Sequence, residues 1–408
     1  MAHFNPSLPN GENNFIKHDS TMLMNFYGTS DVYPYWVADM DFQVATPITA
    51  ELSRLAERGV YSYEFNEKEV FKSISDWALK RHSIELAVEG FVQVPGVLSG
   101  IALILRHFTN ADDAVMINSP AYHQFSSLIN KAGRKVVKND LAILNGRYTL
   151  DIELMEKQIV ENDVKTILFC NPHNPTGRVW TKQELQSVTE LAEKYGVMII
   201  SDEIHSDIIY SQSTFTSFVE TGYDKLIALI GSPAKTFGMH SISNGYVYFN
   251  NEQWHADFKA EVGSMYLDHG NALSSLATIA AYRHGEEWLD EMLNYLEGTV
   301  DWIESYIMSE IPLLKMSRPE GTYQIWFDFS ALGYTDEQLQ DLVFKQAKMG
   351  LTPGVWFGAV SSQHMRMNIA TSREQIEQSF RALASVFRAS VPNNSASSPC
   401  SRSSSSCC

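Results

Sequence analysis

The sequence predicts an α/β protein: a mostly parallel sheet flanked by helices, followed by a smaller α+β unit. Three observations carry this. Five apolar runs, FVQVPGVLSG (91–100), AVMINSPAYHQF (114–125), TILFCNPHNPTG (166–177), VMIISDEIH (197–205) and LIALIGSPAK (226–235), each end in a turn-rich segment. Helical patterns lie between them, and strands alternating with helices imply βαβ units. The runs are nearly continuous in apolar residues, as expected of strands covered on both faces.

Taken in order, residues 1–45 are irregular and are expected to pack on the smaller unit or across a subunit boundary. Residues 46–280 hold the strand–helix alternation and form the large domain. Within it, TKQELQSVTELAEKYG (181–196) places Leu185, Val188 and Leu191 at helical spacing, with Gly196 where a C-terminal glycine belongs. From about 281 to 390 the pattern changes. A long helix is expected at 286–308, a strand at 322–329 (TYQIWFDF), a helix at 335–349 and a last helix at 373–389. The tail, 391–408, is Ser-rich and of low complexity, so it is expected to be disordered.

The chain has 408 residues and a formal net charge of −17. That balance argues against a general nucleic-acid binder and against docking to anionic membranes. It leaves room for a locally positive site that holds a small anion. Cys170 is the only cysteine before the tail, so no disulfide framework is expected and a reducing compartment fits. The first residues lack the apolar core of a signal peptide, and no run reaches the ~18 apolar residues of a membrane span. A cytoplasmic protein is the expectation. No metal site is read from the sequence.

Ligands of open α/β sheets bind beyond the carboxyl ends of the strands. PGVLSG would open a helix there whose free N–H groups can hold a phosphate, although Gly96 and Gly100 also suit turn and packing roles. SPAY presents Tyr122, which can stack on a planar ring or fill the core. In NPHNPTG the prolines stiffen the turn and hold Asn174 in place. Asp202 ends an apolar strand, where a carboxylate is costly unless paired, so it caps a helix or meets a cation. His205, three residues on, reaches the same side. SPAKTF then puts Lys235 just past a buried strand, which is either a surface loop lysine or a nucleophile. Lysine, acid, amide, aromatic ring and phosphate cradle together suit pyridoxal 5'-phosphate, which needs an amine, an acid for its ring nitrogen, donors for its phenolic oxygen, a stacking ring and a phosphate site.

VADMDF (37–42), SPAYHQF (119–125), NPHNPTGRVW (171–180), SDEIHSDI (201–208), SPAKTF (232–237) and EGTYQIWFDF (320–329) resemble the fold-type-I pyridoxal-phosphate enzymes of the aminotransferase class I/II superfamily. More closely they resemble its cystathionine β-lyase (C–S lyase) branch of the MalY/PatB type. The resemblance runs from roughly residue 15 to 390. It implies the fold of those enzymes and the following roles. Lys235 would bond the cofactor aldehyde and Asp202 would pair with the ring nitrogen. Asn174 and His205 would lie near the phenolic oxygen, and Tyr122 on the ring. The amides at Val97 and Leu98, with Ser232, would hold the phosphate. Tyr63 would reach the phosphate of a neighbouring subunit in a homodimer. Arg366 would grip the substrate carboxylate in two-pronged fashion, with Ala38 beside it.

The resemblance further implies α,β-elimination from a β-thio amino acid. Lys235 would remove the Cα proton, and Lys235 or Tyr122 would protonate the departing sulfur. An aminotransferase shares every step up to the carbanion. A regulatory protein that keeps the cofactor is a third reading. Ser243 stands where class I aminotransferases typically carry a phosphate-binding arginine, which favours the lyase branch. GMHSISN (238–244) departs from the branch's small apolar run, so His240, which either packs, the favoured reading, or alters substrate range, and His123 beside Tyr122 mark where this chain differs.

Overall fold

The computed structural model describes Phe4 and residues 14–390. The expected disordered tail lies outside the described residues. The main sheet has seven strands: β1 (Phe91–Val94), β2 (Ala114–Ser119), β3 (Lys135–Asp140), β4 (Val164–Cys170), β5 (Met198–Asp202), β6 (Ile227–Gly231) and β7 (Gly245–Tyr248), in the order β1-β7-β6-β5-β4-β2-β3. Only β7 runs against its neighbours. The five apolar runs supply β1, β2, β4, β5 and β6. Alternate residues of one strand enter two cores: Ile199 packs on one face of the sheet and Ile200 on the other. This double coverage explains why the runs do not alternate with polar residues.

The helix expected at 181–196 is found at Lys182–Tyr195. The Thr181 hydroxyl accepts from the Glu184 amide, the Glu184 carboxylate returns the bond to the Thr181 amide, and Gly196 turns left-handed at φ +66°. Such a cap is worth about 1 kcal/mol. It fixes where this helix leaves the NPHNPTG turn.

Beyond residue 280, a helix at Glu286–Glu310 leads to a four-stranded antiparallel sheet, and the described residues end with a helix at Arg373–Ser390. In that sheet Gln324–Asp328 pairs with His364–Asn368, setting Trp326 opposite Arg366. The helix expected at 335–349 is shorter. It is α-helical at Asp336–Gln340 and π-wound at Asp341–Gln346, and it stops where Lys348 takes φ +55°. Met349 and Gly350 are instead drawn into parallel pairing with Tyr33 and Pro34. A long-range partner overrides the local periodicity there.

The segment before residue 45 is less irregular than expected: Ser20–Tyr27 is helical, capped by Asp19. From Tyr33 to Asp41 the chain crosses the small sheet as a strap. The Asn368 side-chain amide donates to the Val37 and Asp39 carbonyls, both at 2.6 Å, and the Asp41 amide donates to the Ala370 carbonyl at 3.0 Å. Buried Lys17 donates to the Asp41 carboxylate at 2.8 Å.

Gly177 closes the NPHNPTG turn at φ +72°, and a Cβ there would lie 2.6 Å from Pro319 Cβ. Its carbonyl accepts from the amides of Glu320 and Gly321 at 2.8 and 3.0 Å. Gly177→Ala combines a disfavoured φ with a clash, so a loss of about 2–3 kcal/mol is expected. Urea unfolding measures it, and an unchanged midpoint would refute the close approach.

Candidate active site

Register brings the chemistry to one edge. Cys170 pairs with Asp202, and Asp202 with Ile230, so β4, β5 and β6 end level. The three segments that leave them carry Asn174, Asp202 with His205, and Ser232 with Lys235.

The Lys235 amine donates to the Ala38 carbonyl of the strap. The same oxygen accepts from the Tyr323 hydroxyl at 3.0 Å. Burial, and then the Arg366 cation, lower the Lys235 pKa to about 8, so a minority of the amine is already neutral near physiological pH. Lys235 rides on a five-residue helix, Pro233–Phe237, that ends at Gly238 with φ +70°. The Ser232 hydroxyl caps this helix by accepting from the Ala234 amide at 3.2 Å, and it donates to the Asn244 carbonyl at 2.8 Å.

Asp202 is buried, and its carboxylate accepts one hydrogen bond, from the Ile204 amide at 3.2 Å. Burial raises its pKa to about 6. Neighbouring Glu203 points the other way, into Ser201, Ser217 and the Phe218 amide. A strand end thus separates one carboxylate that is satisfied from one that is not. His205 is buried, its Nδ1 has no partner, and its ring meets Tyr323 edge to face at 5.7 Å. Burial and the nearby Lys235 and Arg366 cations hold it well below the ordinary histidine range, so it is neutral.

Arg366 is buried across the site from Lys235. It donates to Asn174 Oδ1 at 3.1 Å and to the Trp36 carbonyl at 2.7 Å, lies 5.0 Å from the Phe357 ring centre, and leaves Nε without a partner. Tyr122 is partly buried at the start of the helix His123–Lys131, close enough to Arg366 and Asp202 to feel both charges. Val97 and Leu98 begin the helix Val97–Phe108, whose Gly96 cap supplies no side-chain acceptor. A Cβ on Gly96 would meet nothing within 4 Å, so the space beside this residue is open.

The structure therefore brings together Lys235, Asp202, Asn174, His205, Tyr122, Arg366 and Ala38. Ala38 enters through its carbonyl. Val97, Leu98 and Ser232 stand at the same sheet edge. Tyr63 is fully exposed and touches none of them within the chain. It lines a cleft of about 1390 Å³ shared with Pro95, Ser243 and Asn244.

Two neighbours were not read from the sequence. Tyr323 lies within EGTYQIWFDF but sits in a strand-like stretch, where a tyrosine reads as core. Trp36 contributes a backbone carbonyl, which no side-chain pattern reveals. His240 stands at the site, as its position in the sequence led one to expect. Its Nε2 lies 3.3 Å from the Tyr323 hydroxyl, and burial, then the Lys235 charge, lower its pKa to about 3. The Ser243 hydroxyl donates to the Met239 carbonyl at 2.6 Å and brings no positive charge to the cradle. Among the described residues no group of three or more His, Cys, Asp or Glu side chains is placed to hold a metal, and no helix is long and apolar enough to cross a membrane.

Cystathionine beta-lyase PatB of Bacillus subtilis (strain 168) is 31% identical over 374 residues, which cover 91% of this chain and 96% of that protein. The crystal structure of cystalysin from Treponema denticola, which contains a pyridoxal 5'-phosphate cofactor, superposes with a TM-score of 0.90 at 25% identity, covering 95% of this chain and 99% of the other. The PLP-bound C-S lyase from Staphylococcus hominis gives 0.86 at 25% identity, covering 96% of this chain and all of that one. The model of one family, aminotransferase class I and II, matches residues 38–383, and the chain belongs to that family.

Proposed function

We propose that this protein is a pyridoxal 5'-phosphate-dependent carbon–sulfur β-lyase that cleaves cystathionine- or cysteine-type amino acids to pyruvate, ammonia and a thiol. The observation that carries this is the convergence of a partly neutral amine (Lys235), a buried and under-satisfied acid (Asp202) and a buried arginine with a free nitrogen (Arg366) at one sheet edge. The site fits the cofactor on its own chemistry. Asp202 lacks the cation that a buried carboxylate needs, His205 Nδ1 lacks a partner, and the helix at Val97 lacks a cap. When bound, pyridoxal phosphate supplies an aldehyde for the amine and a ring that accepts negative charge from Cα.

The chain's residues then have distinct tasks. Arg366 holds the substrate carboxylate with parallel N–H bonds, beside Ala38, and so orients the Cα–H bond toward Lys235. Lys235 takes that proton as general base and returns it to the departing sulfur, a task its lowered pKa suits in both directions. Tyr122 packs on the ring and is a second donor to the sulfur. Asp202 keeps a proton on the ring nitrogen, Asn174 and His205 address the phenolic oxygen, and Val97, Leu98 and Ser232 hold the phosphate.

The reading includes a homodimer. Tyr61, Tyr63 and Phe65 are exposed beside the cleft that borders the phosphate cradle, and a second copy would cover them and place Tyr63 on its partner's cradle. It also includes an N-terminal segment 1–45, a large domain 46–280 and a small domain 281–390, in a cytoplasmic protein. Amino transfer is the second reading, favoured by the family match and by likeness to a PLP-bound putative aminotransferase from Clostridium difficile 630 at 35% identity. Incubation with cystathionine or cysteine decides between them. Pyruvate, ammonia and thiol released in equal amounts are expected, and amino transfer to a keto acid without thiol release would overturn elimination.

A further inference from the structure

A second buried carboxylate is bonded to the helix that carries the lysine. Asp207 is buried and accepts three hydrogen bonds: from Trp77 Nε1 at 2.8 Å, from His82 Nε2 at 2.7 Å and from the Thr236 hydroxyl at 2.8 Å. Thr236 follows Lys235 directly. Asp207 follows Asp202 by five positions, on the segment that also carries His205. Trp77 and His82 belong to the last turns of the helix Glu67–His82. One carboxylate thus joins three separate segments at the root of the lysine.

The cluster holds the lysine helix from more than one direction. The Trp77 ring contacts Phe237 at 5.6 Å, and a Cβ on Gly285 would meet that Phe237 ring at 2.5 Å. Burial alone would raise the Asp207 pKa, but the bonds from His82, Trp77 and Thr236 outweigh it and the group lies below the ordinary aspartate value. It therefore stays a charged acceptor with both oxygens used. Such charge-assisted bonds are stronger and more directional than neutral ones.

We infer that Asp207 is a positioning residue for Lys235: through Thr236 it fixes the lysine helix against the segment bearing Asp202, and so sets where the amine stands relative to the acid and to Arg366. A five-residue helix has little rigidity of its own. Without the Thr236 bond its register rests on its end caps and on the packing of Phe237. A small misplacement of a reacting group is costly, because the amine must meet both an aldehyde carbon and a Cα proton.

The inference rests on the role proposed above for Lys235, and the experiment separates the two. Thr236→Val keeps the shape and removes the hydroxyl; Thr236→Ser keeps the hydroxyl. Apoprotein of each is mixed with pyridoxal phosphate, and the visible absorbance of the bonded lysine is followed with time, alongside kcat and KM. For Thr236→Val, bond formation about tenfold slower and kcat lower by about 10–100-fold are expected, with KM and melting temperature near wild type. Thr236→Ser should retain both rates within about threefold. Asp207→Asn added to Thr236→Val should cost less than the two single losses combined, because the Thr236 bond is lost in both. Should Thr236→Val not fold, Thr236→Ala is read in the same way. Wild-type rates in the variant lacking the hydroxyl, or losses that add fully in the double variant, would overturn the inference. If Lys235→Ala leaves the cofactor bond intact, the reading of the lysine itself falls instead.

Discussion

Lys235→Ala is expected to abolish the borohydride-reducible bond to pyridoxal phosphate and to lower elimination by at least about 10⁴-fold, the upper range for loss of a single general base. The size follows from two tasks meeting in one group, covalent attachment and proton transfer, with no second amine beside the Ala38 carbonyl among the described residues. Lys235→Arg keeps the charge but not a nucleophile, so it should fail equally. Folding should survive both changes, since the lysine's neighbours are held by Ser232, Thr236 and Phe237 rather than by its amine. The pH dependence has a definite sign. Burial disfavours the ammonium, which moves the amine's midpoint down from 10.5 to about 8. Acylation of Lys235 in the apoprotein should therefore rise through about pH 8, well before that of surface lysines. Mass-spectrometric labelling across pH reads this, and a midpoint near 10.5 would contradict a desolvated amine.

Arg366→Lys should lower kcat/KM for amino-acid substrates by about 10²–10³-fold while cofactor binding is unchanged. Each hydrogen bond to a charged group is worth about 1.5–3 kcal/mol, and lysine cannot present two parallel N–H groups to one carboxylate. It also leaves the Trp36 carbonyl or Asn174 Oδ1 short of a donor. A combined loss of about 3–4 kcal/mol corresponds to that factor. Burial brings the Arg366 pKa down to about 10, so the wild-type group remains cationic throughout the working range. Steady-state kinetics with a spectroscopic titration of the cofactor separate the two quantities. Full kcat/KM in the lysine variant would remove Arg366 from the substrate site.

The parallel sheet and the residues at its edge were legible because each depends on a short stretch of chain. A buried strand announces itself by an unbroken apolar run, and Asn174, Asp202 and Lys235 lie within a few residues of such runs. The cap of the helix Lys182–Tyr195 was likewise local, in TKQE and Gly196. What stayed hidden depended on residues far apart. GYVY is too short to declare itself as the antiparallel strand β7 without β1 and β6 on either side. The helix expected to run to 349 ends early because Tyr33 and Pro34, more than 300 residues upstream, claim Met349 and Gly350. Tyr323 and Asp207 carry chemistry only through the partners the fold gives them. Tyr63 stands fully exposed in one chain.

The strap from Tyr33 to Asp41 has a consequence for the order in which the molecule can be made. Its Trp36 carbonyl is bonded to a residue 330 positions later, and its Val37 carbonyl to one 331 positions later. During synthesis the N-terminal segment emerges long before those partners exist, so it cannot seat until Arg366 and Asn368 have left the ribosome. The large sheet can assemble meanwhile from strands that all precede residue 249. Contacts of such separation carry the largest loop-closure cost and form late. Because the Ala38 carbonyl on this strap is what Lys235 touches, a nascent chain would be folded over most of its length before it was competent for chemistry, which guards a reactive amine until the enclosure around it is complete.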